Sequence, residues 1–137
     1  MIKTFVKKSH IHNFGIFAGQ DIPVGTRIIE YTGELIDKKE EARREKQNEK
    51  IGITYIFDVN DRYSIDAAIG GNNSKYINHS CDPNCDAERF KNRVFLYSNK
   101  FIPKGNELTV DYAFDSKEPL EVCHCGSPKC RGFINEI

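Results

Sequence analysis

The segment "KYINHSCDPNC", residues 75–85, crowds a Tyr, two Asn, a His, two Cys and a Pro into eleven positions. These side chains suit three kinds of structure: a metal site, a nucleophilic centre or an elaborate turn. Nothing within the segment selects one of the three. The choice depends on what the rest of the chain supplies.

The composition is that of one globular domain. The chain has 137 residues, of which 39% are hydrophobic and 29% are charged, which allows a core and argues against disorder. The balance of 20 basic and 20 acidic residues disfavours a dedicated nucleic-acid binder. No apolar run approaches the roughly 20 residues of a membrane helix, and "MIKTFVKKSHIH" lacks the apolar centre of a secretion signal. We therefore expect an intracellular protein that binds neither a membrane nor nucleic acid directly.

Five cysteines in an intracellular chain indicate metal or thiol chemistry before disulfides. Three of them, Cys123, Cys125 and Cys130, lie in "CHCGSPKC", and a spacing of one residue suits convergence on one ion better than a mutual disulfide. Three thiolates need a fourth ligand to complete a tetrahedral structural zinc site. The candidates for that ligand are Cys81, Cys85 and His124. The competing interpretation is a loop that carries three free cysteines.

Short β-like runs dominate the secondary-structure pattern. Six runs rich in Ile, Val, Phe, Tyr and Thr predict strands, at residues 2–8, 14–18, 26–33, 53–59, 62–67 and 92–101. Residues 37–50 predict one helix, with Asp37 as N-cap and Glu40 three residues later, as in a capping box. This helix is polar nearly all round, so we expect it on the surface. The fold class is mainly β with little helix.

Five motifs occur in the order found in SET-domain protein lysine methyltransferases, and the chain resembles that family over essentially its whole length. The motifs are "NFGIFA" (13–18), "EYTGE" (30–34), "YINHSCDPN" (76–84), "ELTVDYAF" (107–114) and "CHCGSPKCRGF" (123–133). One alone would be weak, but five in order are specific, and they are most similar to the trithorax-like branch. The resemblance implies small curved β-sheets, with the Asn78 and Tyr112 segments threaded into a pseudoknot. It also implies a SET domain over residues 1–115 and a zinc-binding post-SET tail over residues 116–137.

By this resemblance, residues 75–85 bind the adenosyl part of the cofactor S-adenosylmethionine. Asn78 does so through its side-chain amide, which offers donors and an acceptor to a purine edge, and His79 mainly through its backbone. The imidazole of His79 has an equally good interpretation as a buried structural group. Cys81 is the fourth zinc ligand by the family pattern, beside Cys123, Cys125 and Cys130. Cys85 is then left over as a buried thiol.

Further cofactor contacts follow from the other motifs. The family has Gly-x-Gly beneath the cofactor, whereas this chain has Asn13-Phe14-Gly15; Asn is the residue that best replaces Gly in a left-handed conformation. Lys75 stands where the family more often has Arg, and supplies charge without the bidentate fork. Phe133 stands where the tail covers the adenine. The cofactor-binding residues implied in addition to Asn78 and His79 are His12, Asn13, Phe14, Tyr31, Lys75 and Phe133.

The implied reaction is an in-line displacement at the sulfonium methyl by a lysine amine. That amine must be neutral, although its pKa in water is about 10.4; an apolar channel and the sulfonium charge lower it. Tyr112 resembles the family's catalytic tyrosine, either as a base or as a group that orients the amine. Tyr55 matches a second catalytic aromatic that lines the lysine channel. Val110 occupies the channel position where Phe or Tyr biases product number, so we expect up to two or three methyl groups.

The sequence therefore predicts a protein lysine N-methyltransferase with a lysine-containing protein substrate. A histone tail is the family's usual target, which would place the protein in the nucleus or on chromatin; a non-histone substrate would allow a cytoplasmic location. The alternative is a non-catalytic, zinc-stabilised interaction module with a SET-like fold. The motif residues Asn78, His79, Tyr31 and Tyr112 are intact and argue against that alternative, whereas Asn13 and Lys75 permit it.

Overall fold

A computed structural model describes residues 2–50, 54–112 and 121–135 of the chain. In these ranges the chain forms ten short strands, one α-helix and a 3₁₀ turn at Asn73–Tyr76. The strands are β1 (Thr4–Lys8), β2 (Phe14–Ala18), β3 (Arg27–Tyr31), β4 (Glu34–Asp37), β5 (Ile56–Asp58), β6 (Tyr63–Asp66), β7 (Asn78–His79), β8 (Cys85–Phe90), β9 (Arg93–Ser98) and β10 (Thr109–Val110), and the helix is α1 (Lys38–Asn48).

The strands form four small sheets. β1 and β2 form an antiparallel pair, and two three-stranded antiparallel sheets have the orders β3-β9-β8 and β4-β6-β5. The fourth sheet is a parallel pair of β7 and β10, the only parallel pairing among the described strands. It brings together the two segments that the resemblance places in a pseudoknot. The mainly β class predicted from the sequence is confirmed.

The core lies between the sheets and is made of aliphatic side chains from many strands. Ile16 and Val94 are fully buried, and Leu96, Ile102 and Leu108 are each 1% exposed. Cys85 belongs to the same cluster at 1% exposure, as the sequence predicted. Burial of such side chains stabilises the fold by about 1.5–3 kcal/mol each.

Helix α1 lies on the surface, because none of its residues is buried. Asp37 caps its N-terminus and accepts a hydrogen bond from the Glu40 amide at 2.8 Å, as predicted. Arg44 attaches the helix to the sheet through ion pairs with Glu34 at 2.5 Å and Asp66 at 3.0 Å. No helix in the described ranges combines the length and the apolar character needed to cross a membrane.

All six predicted β runs contain an observed strand, although each strand is shorter than its run except at 14–18, where the two coincide. Residue 53, the first of the predicted run 53–59, and the proposed boundary after residue 115 lie outside the described residues. Four strands were not predicted: β4, β7, β8 and β10. β4, β7 and β10 have only two to four residues, too few for a periodic pattern. β8 contains Asp86, Ala87 and Glu88, residues of low strand propensity.

Candidate active site

The parallel pairing of β7 and β10 places the predicted site residues together. Asn78 is aligned with Thr109, and His79 with Val110. The Ser80 amide extends the pairing by donating to the Val110 carbonyl at 3.0 Å. Val110 is 2% exposed and belongs to the core cluster. Two segments about thirty residues apart in sequence thus lie side by side at the candidate site.

The Asn78 amide holds the turn at residues 12–14 against β7. Its Nδ2 lies 3.2 Å from the His12 carbonyl oxygen, 3.0 Å from that of Phe14 and 2.8 Å from Glu107 Oε2. An amide nitrogen has two hydrogens, so three acceptors share them. Asn78 is 6% exposed, and losing these bonds would leave part-buried acceptors without this donor.

The turn itself has an unusual backbone. Asn13 has a φ of 36°, in the left-handed region that Asn tolerates better than most residues. At Gly15, an added Cβ would lie 2.3 Å from Glu107 Oε2 and 2.8 Å from its Cδ. Position 15 therefore admits no side chain while Glu107 keeps its place.

Glu107 is a site residue that the sequence analysis missed. Its carboxylate accepts hydrogen bonds from Ser9 Oγ at 2.7 Å and from Asn78 Nδ2 at 2.8 Å. The available signal was an acidic residue directly before the buried run Leu108–Val110, where a charge requires hydrogen-bond partners. Glu107 therefore holds the Asn78 amide together with the turn's carbonyl groups.

The imidazole of His79 is packed inside the protein, with 2% of the side chain exposed. Its Nδ1 accepts a hydrogen bond from the Tyr112 amide at 3.0 Å, and its Nε2 lies 3.3 Å from Cys81 Sγ. Burial lowers the pKa of His79, with a further decrease from Arg131, opposed by Asp111. The ring is therefore neutral at pH 7, and the acceptor role of Nδ1 assigns its proton to Nε2.

Tyr112 is fixed at both ends. Its hydroxyl donates to the Ile77 carbonyl at 2.5 Å, and its amide donates to His79. Burial raises the pKa of the Tyr112 phenol, and the Glu107 carboxylate raises it further. The phenol is consequently neutral at physiological pH.

Tyr31 and Tyr55 are coupled through one hydrogen bond. The Tyr31 hydroxyl donates to the Tyr55 carbonyl at 2.6 Å, and Tyr31 is 3% exposed. Burial raises the pKa of Tyr31, with smaller contributions from Tyr112 and Asp66. Tyr31 thus fixes the backbone that carries the Tyr55 ring.

Lys75 lies beside a row of aromatic rings. Its Nζ is 5.4 Å from the Tyr55 ring centroid and 5.2 Å from that of Tyr76, within cation–π range. The Tyr76 ring in turn contacts the Phe14 ring edge-to-face at 6.2 Å, and Phe14 is 49% exposed. Phe133 is positioned separately, in the tail, where it forms a β-bridge with Val122.

The C-terminal tail brings four cysteines together. The sulfur atoms of Cys81, Cys123, Cys125 and Cys130 all lie within 4.8 Å of one another, and Cys81 Sγ is 3.7 Å from Cys123 Sγ. Zinc–sulfur bonds of about 2.3 Å in a tetrahedron place the sulfurs about 3.8 Å apart. Of the three candidates for the fourth position, the structure places Cys81 in this group, not Cys85 or His124.

Amide donors surround these sulfurs, although burial raises the pKa of Cys81 and of Cys123. Backbone amides of Arg131 and Gly132 donate to Cys81 Sγ at 3.4 Å and Cys130 Sγ at 3.3 Å. Burial disfavours charge on Cys125, but hydrogen bonds from neighbouring amides and thiols lower its pKa to about 6. Four converging sulfurs with amide donors fit a structural zinc ion.

The turn at residues 12–15 fits a ligand that approaches the backbone closely. The left-handed Asn13 and the exposed Phe14 are neighbours in this turn, which the Asn78 amide contacts. Close backbone, an apolar ring and buried amide groups suit a purine nucleoside that carries an amino-acid chain. S-adenosylmethionine is such a molecule.

Comparison with known proteins gives consistent matches. The SET domain family model matches residues 13–113. The chain is 39% identical over 139 residues to human "Histone-lysine N-methyltransferase 2D", which covers 96% of this chain and 2% of that protein. It is 39% identical over 133 residues to "Histone-lysine N-methyltransferase, H3 lysine-4 specific" of Schizosaccharomyces pombe, covering 93% and 14%. It is 37% identical over 135 residues to "Histone-lysine N-methyltransferase trithorax" of Drosophila virilis, covering 95% and 4%.

Among solved structures, a chain in the crystal structure of the Chaetomium thermophilum polycomb repressive complex 2 superposes with a TM-score of 0.74. It is 35% identical, and the match covers 81% of this chain and 15% of that chain. The chain thus spans a small part of the length of each relative it matches, between 2% and 15%.

Proposed function

The chain belongs to the SET-domain family, and from that premise we propose that it is an S-adenosylmethionine-dependent protein lysine N-methyltransferase. The observation that carries the proposal is the position of Tyr112, whose hydroxyl and amide are both fixed beside β7. The names of the matched relatives support a histone as the protein substrate. A location in the nucleus or on chromatin follows for a histone substrate.

S-adenosylmethionine supplies the methyl group as a sulfonium electrophile. The protein's task is then to align and desolvate a neutral lysine amine. In the proposal, the cofactor is bound by the turn at residues 12–14 and by the side chains or backbone of Tyr31, Lys75, Asn78, His79 and Phe133. The aromatic side chain of Tyr55 lines the channel for the substrate lysine.

Tyr112 orients the amine and does not act as the base. A base would need the phenolate, which is scarce because burial raises the pKa of this phenol. The hydroxyl proton is donated to the Ile77 carbonyl, so the oxygen lone pairs are left to accept a hydrogen bond from the substrate amine. The neutral hydroxyl thus positions the amine for in-line attack.

We further propose that residues 1–115 form the catalytic domain and residues 116–137 a tail that folds around one zinc ion. The proposed ligands are the thiolates of Cys81, Cys123, Cys125 and Cys130. Since Cys81 directly follows the segment of Asn78 and His79, the ion would attach the tail to the cofactor-binding segment. Val110 in the channel wall would allow two or three methyl groups per lysine.

Calorimetric titration with S-adenosylmethionine, followed by transfer of labelled methyl groups to purified core histones, tests the proposal. We expect saturable cofactor binding and label in at least one histone. Binding without transfer to histones or to a whole-cell lysate would instead support the non-catalytic interaction module. The absence of both binding and transfer in folded, zinc-loaded protein would overturn the proposed function.

A further inference from the structure

Arg131 connects the cysteine cluster to the segment that carries Tyr112. Its backbone amide donates to Cys81 Sγ at 3.4 Å. Its guanidinium makes a two-pronged contact with Asp111, Nη1 to Oδ2 at 2.8 Å and Nη2 to Oδ1 at 3.2 Å. This fork geometry is the strongest form of Arg–carboxylate pairing, and it holds the residue directly before Tyr112.

The rest of the Arg131 side chain is also fixed by the tail. Nη2 donates to the Ile134 carbonyl at 2.5 Å, and Nε donates to the Asn135 carbonyl at 3.3 Å. Asn135 is fully buried, and its side chain accepts from the Glu121 amide at 3.0 Å. The guanidinium therefore bridges the folded tail and the end of β10, and its position depends on the tail being folded.

A second connection runs in parallel through His79. Its imidazole contacts Cys81 Sγ on one side and accepts from the Tyr112 amide on the other. Its Nδ1 also lies 3.5 Å from Asp111 Oδ1. The two connections start at Cys81 and end at the neighbouring residues Asp111 and Tyr112, so together they form a closed ring of contacts.

We propose that Arg131 is a positioning residue that, through Asp111, makes the orientation of Tyr112 depend on metal loading of the cysteine cluster. When the cluster holds no metal, residues 123–130 are no longer linked to Cys81 through the ion. The Arg131 guanidinium must then contact Asp111 from a tail that is less well ordered. Holding a long side chain on a mobile segment carries an entropic penalty. Asp111 then loses its two-pronged contact with Arg131, and the adjacent Tyr112 amide is held less firmly.

The expected effect on catalysis rests on the proposed function, whereas the expected effect on the Tyr112 amide does not. In-line transfer tolerates little misplacement of the group that orients the amine. Loss of the Arg131–Asp111 contact should therefore lower kcat more than it raises KM. If the contact merely strengthened the fold, its loss would lower the global stability without a selective change at Tyr112.

Hydrogen exchange of the Tyr112 amide, compared between zinc-loaded and chelator-treated protein, is the deciding measurement. Arg131→Gln and Asp111→Asn are the test variants, each checked for zinc content by elemental analysis. The matched control is Arg93→Gln, because Arg93 forms a similar fork with Glu30 at 2.9 Å and 2.7 Å on the surface of β3 and β9.

We expect both test variants to keep their zinc and yet to exchange the Tyr112 amide about tenfold faster or more, as in local opening. Chelation should accelerate this exchange in the wild type by a similar factor and add little in either variant. Arg93→Gln should behave as the wild type. Arg131→Lys, which keeps the charge but not the fork, should be intermediate.

The proposal would be overturned if neither Arg131→Gln nor Asp111→Asn changed the hydrogen-exchange rate of the Tyr112 amide. Full additivity of chelation and substitution would also overturn it, because the metal would then act by another route. If Arg131→Gln loses zinc, Asp111→Asn decides, since it leaves the tail sequence unchanged. A protein without methyl transfer would refute the proposed function while the exchange result still decides the role of Arg131.

Discussion

At Tyr112, two separate hydrogen bonds fix the ring and the backbone. The hydroxyl donates to the Ile77 carbonyl and the amide donates to the His79 imidazole. Replacing the hydroxyl removes only the first bond, whereas the backbone remains attached to β7. The contribution of the phenolic oxygen can therefore be measured without moving the segment.

Tyr112→Phe should lower turnover by about 10²- to 10³-fold, the scale for losing one polar group in a transition state. S-adenosylmethionine affinity should change by less than about threefold, because in the proposed function the hydroxyl faces the amine and not the adenosine. Methyl-transfer kinetics and calorimetry on the same preparation separate the two effects. The control is Tyr97→Phe, which removes a surface hydroxyl bonded to Arg27 Nε at 2.9 Å. Full activity of Tyr112→Phe would show that another residue orients the amine.

Asn78→Ala should weaken S-adenosylmethionine binding by about 1–3 kcal/mol, the penalty for leaving buried polar groups unpaired. The physical reason is that the carbonyl groups of His12 and Phe14 lose their donor, so the turn that we propose to bind the cofactor is released. Calorimetric titration measures the change, and Asn48→Ala at the end of α1 serves as the surface control. An unchanged dissociation constant in folded Asn78→Ala protein would remove Asn78 from the site.

Product number should depend on the wall of the lysine channel. Because Val110 is small and lacks a hydroxyl, we expect wild-type enzyme to add two or three methyl groups to one lysine. Val110→Tyr should stop after one methyl, since it adds both bulk and a hydrogen-bond partner for the amine. A time course followed by mass spectrometry under excess cofactor checks this. Wild-type product that remains monomethylated would show that another residue, such as Tyr55, sets the limit.

Among the elements, the tail depends most on a few polar contacts. Its described part, residues 121–135, contains one fully buried side chain, Asn135, and one β-bridge, Val122 with Phe133. So little apolar burial does not stabilise a segment of this length. In the account proposed here, a metal bound by four cysteines would supply the missing free energy.

Thiol labelling should divide the five cysteines into two classes. In zinc-loaded protein at pH 8, all five should resist iodoacetamide; after chelation, Cys81, Cys123, Cys125 and Cys130 should react within minutes. Cys85 should stay unmodified, because burial raises its pKa to about 12, which leaves only about one thiolate in 10⁴ at that pH.

Peptide mass spectrometry with elemental analysis reads out the labelling. Cys85→Ser should retain about one zinc per chain, whereas Cys125→Ser should lose it. Labelling of all five cysteines at equal rates before chelation would contradict a metal-bound cluster.

The same elements show what sequence alone can predict. The α1 cap and six strands follow from local patterns, because capping and β-branched runs act within a few residues. The contacts of Glu107 with Ser9 and of Arg131 with Asp111 were not foreseen. Each joins residues that are distant in sequence, 98 and 20 positions apart, so no local pattern predicts it. The site residues were predicted only through the family resemblance of the motifs. Their hydrogen-bond partners became known only from the structure.

For the molecule as a whole, the site is assembled from segments that span nearly the entire chain. Five elements meet around Asn78 and His79: the turn at residues 12–15, the 3₁₀ turn, β7, β10 and the tail. An in-line reaction needs such a converging, rigid site because small displacements of the reacting groups are costly. The formal net charge of zero leaves substrate recognition to local contacts and gives no overall field that would steer a basic histone tail.

The most direct test is to identify the methylated atom. Zinc-loaded protein is incubated with S-adenosylmethionine and purified core histones, and the products are digested and sequenced by mass spectrometry. We predict methyl groups on the side-chain nitrogen of lysine, present with the wild type and strongly reduced with Tyr112→Phe. Methylation of arginine, or methyl-lysine formed equally well by Tyr112→Phe, would contradict the account.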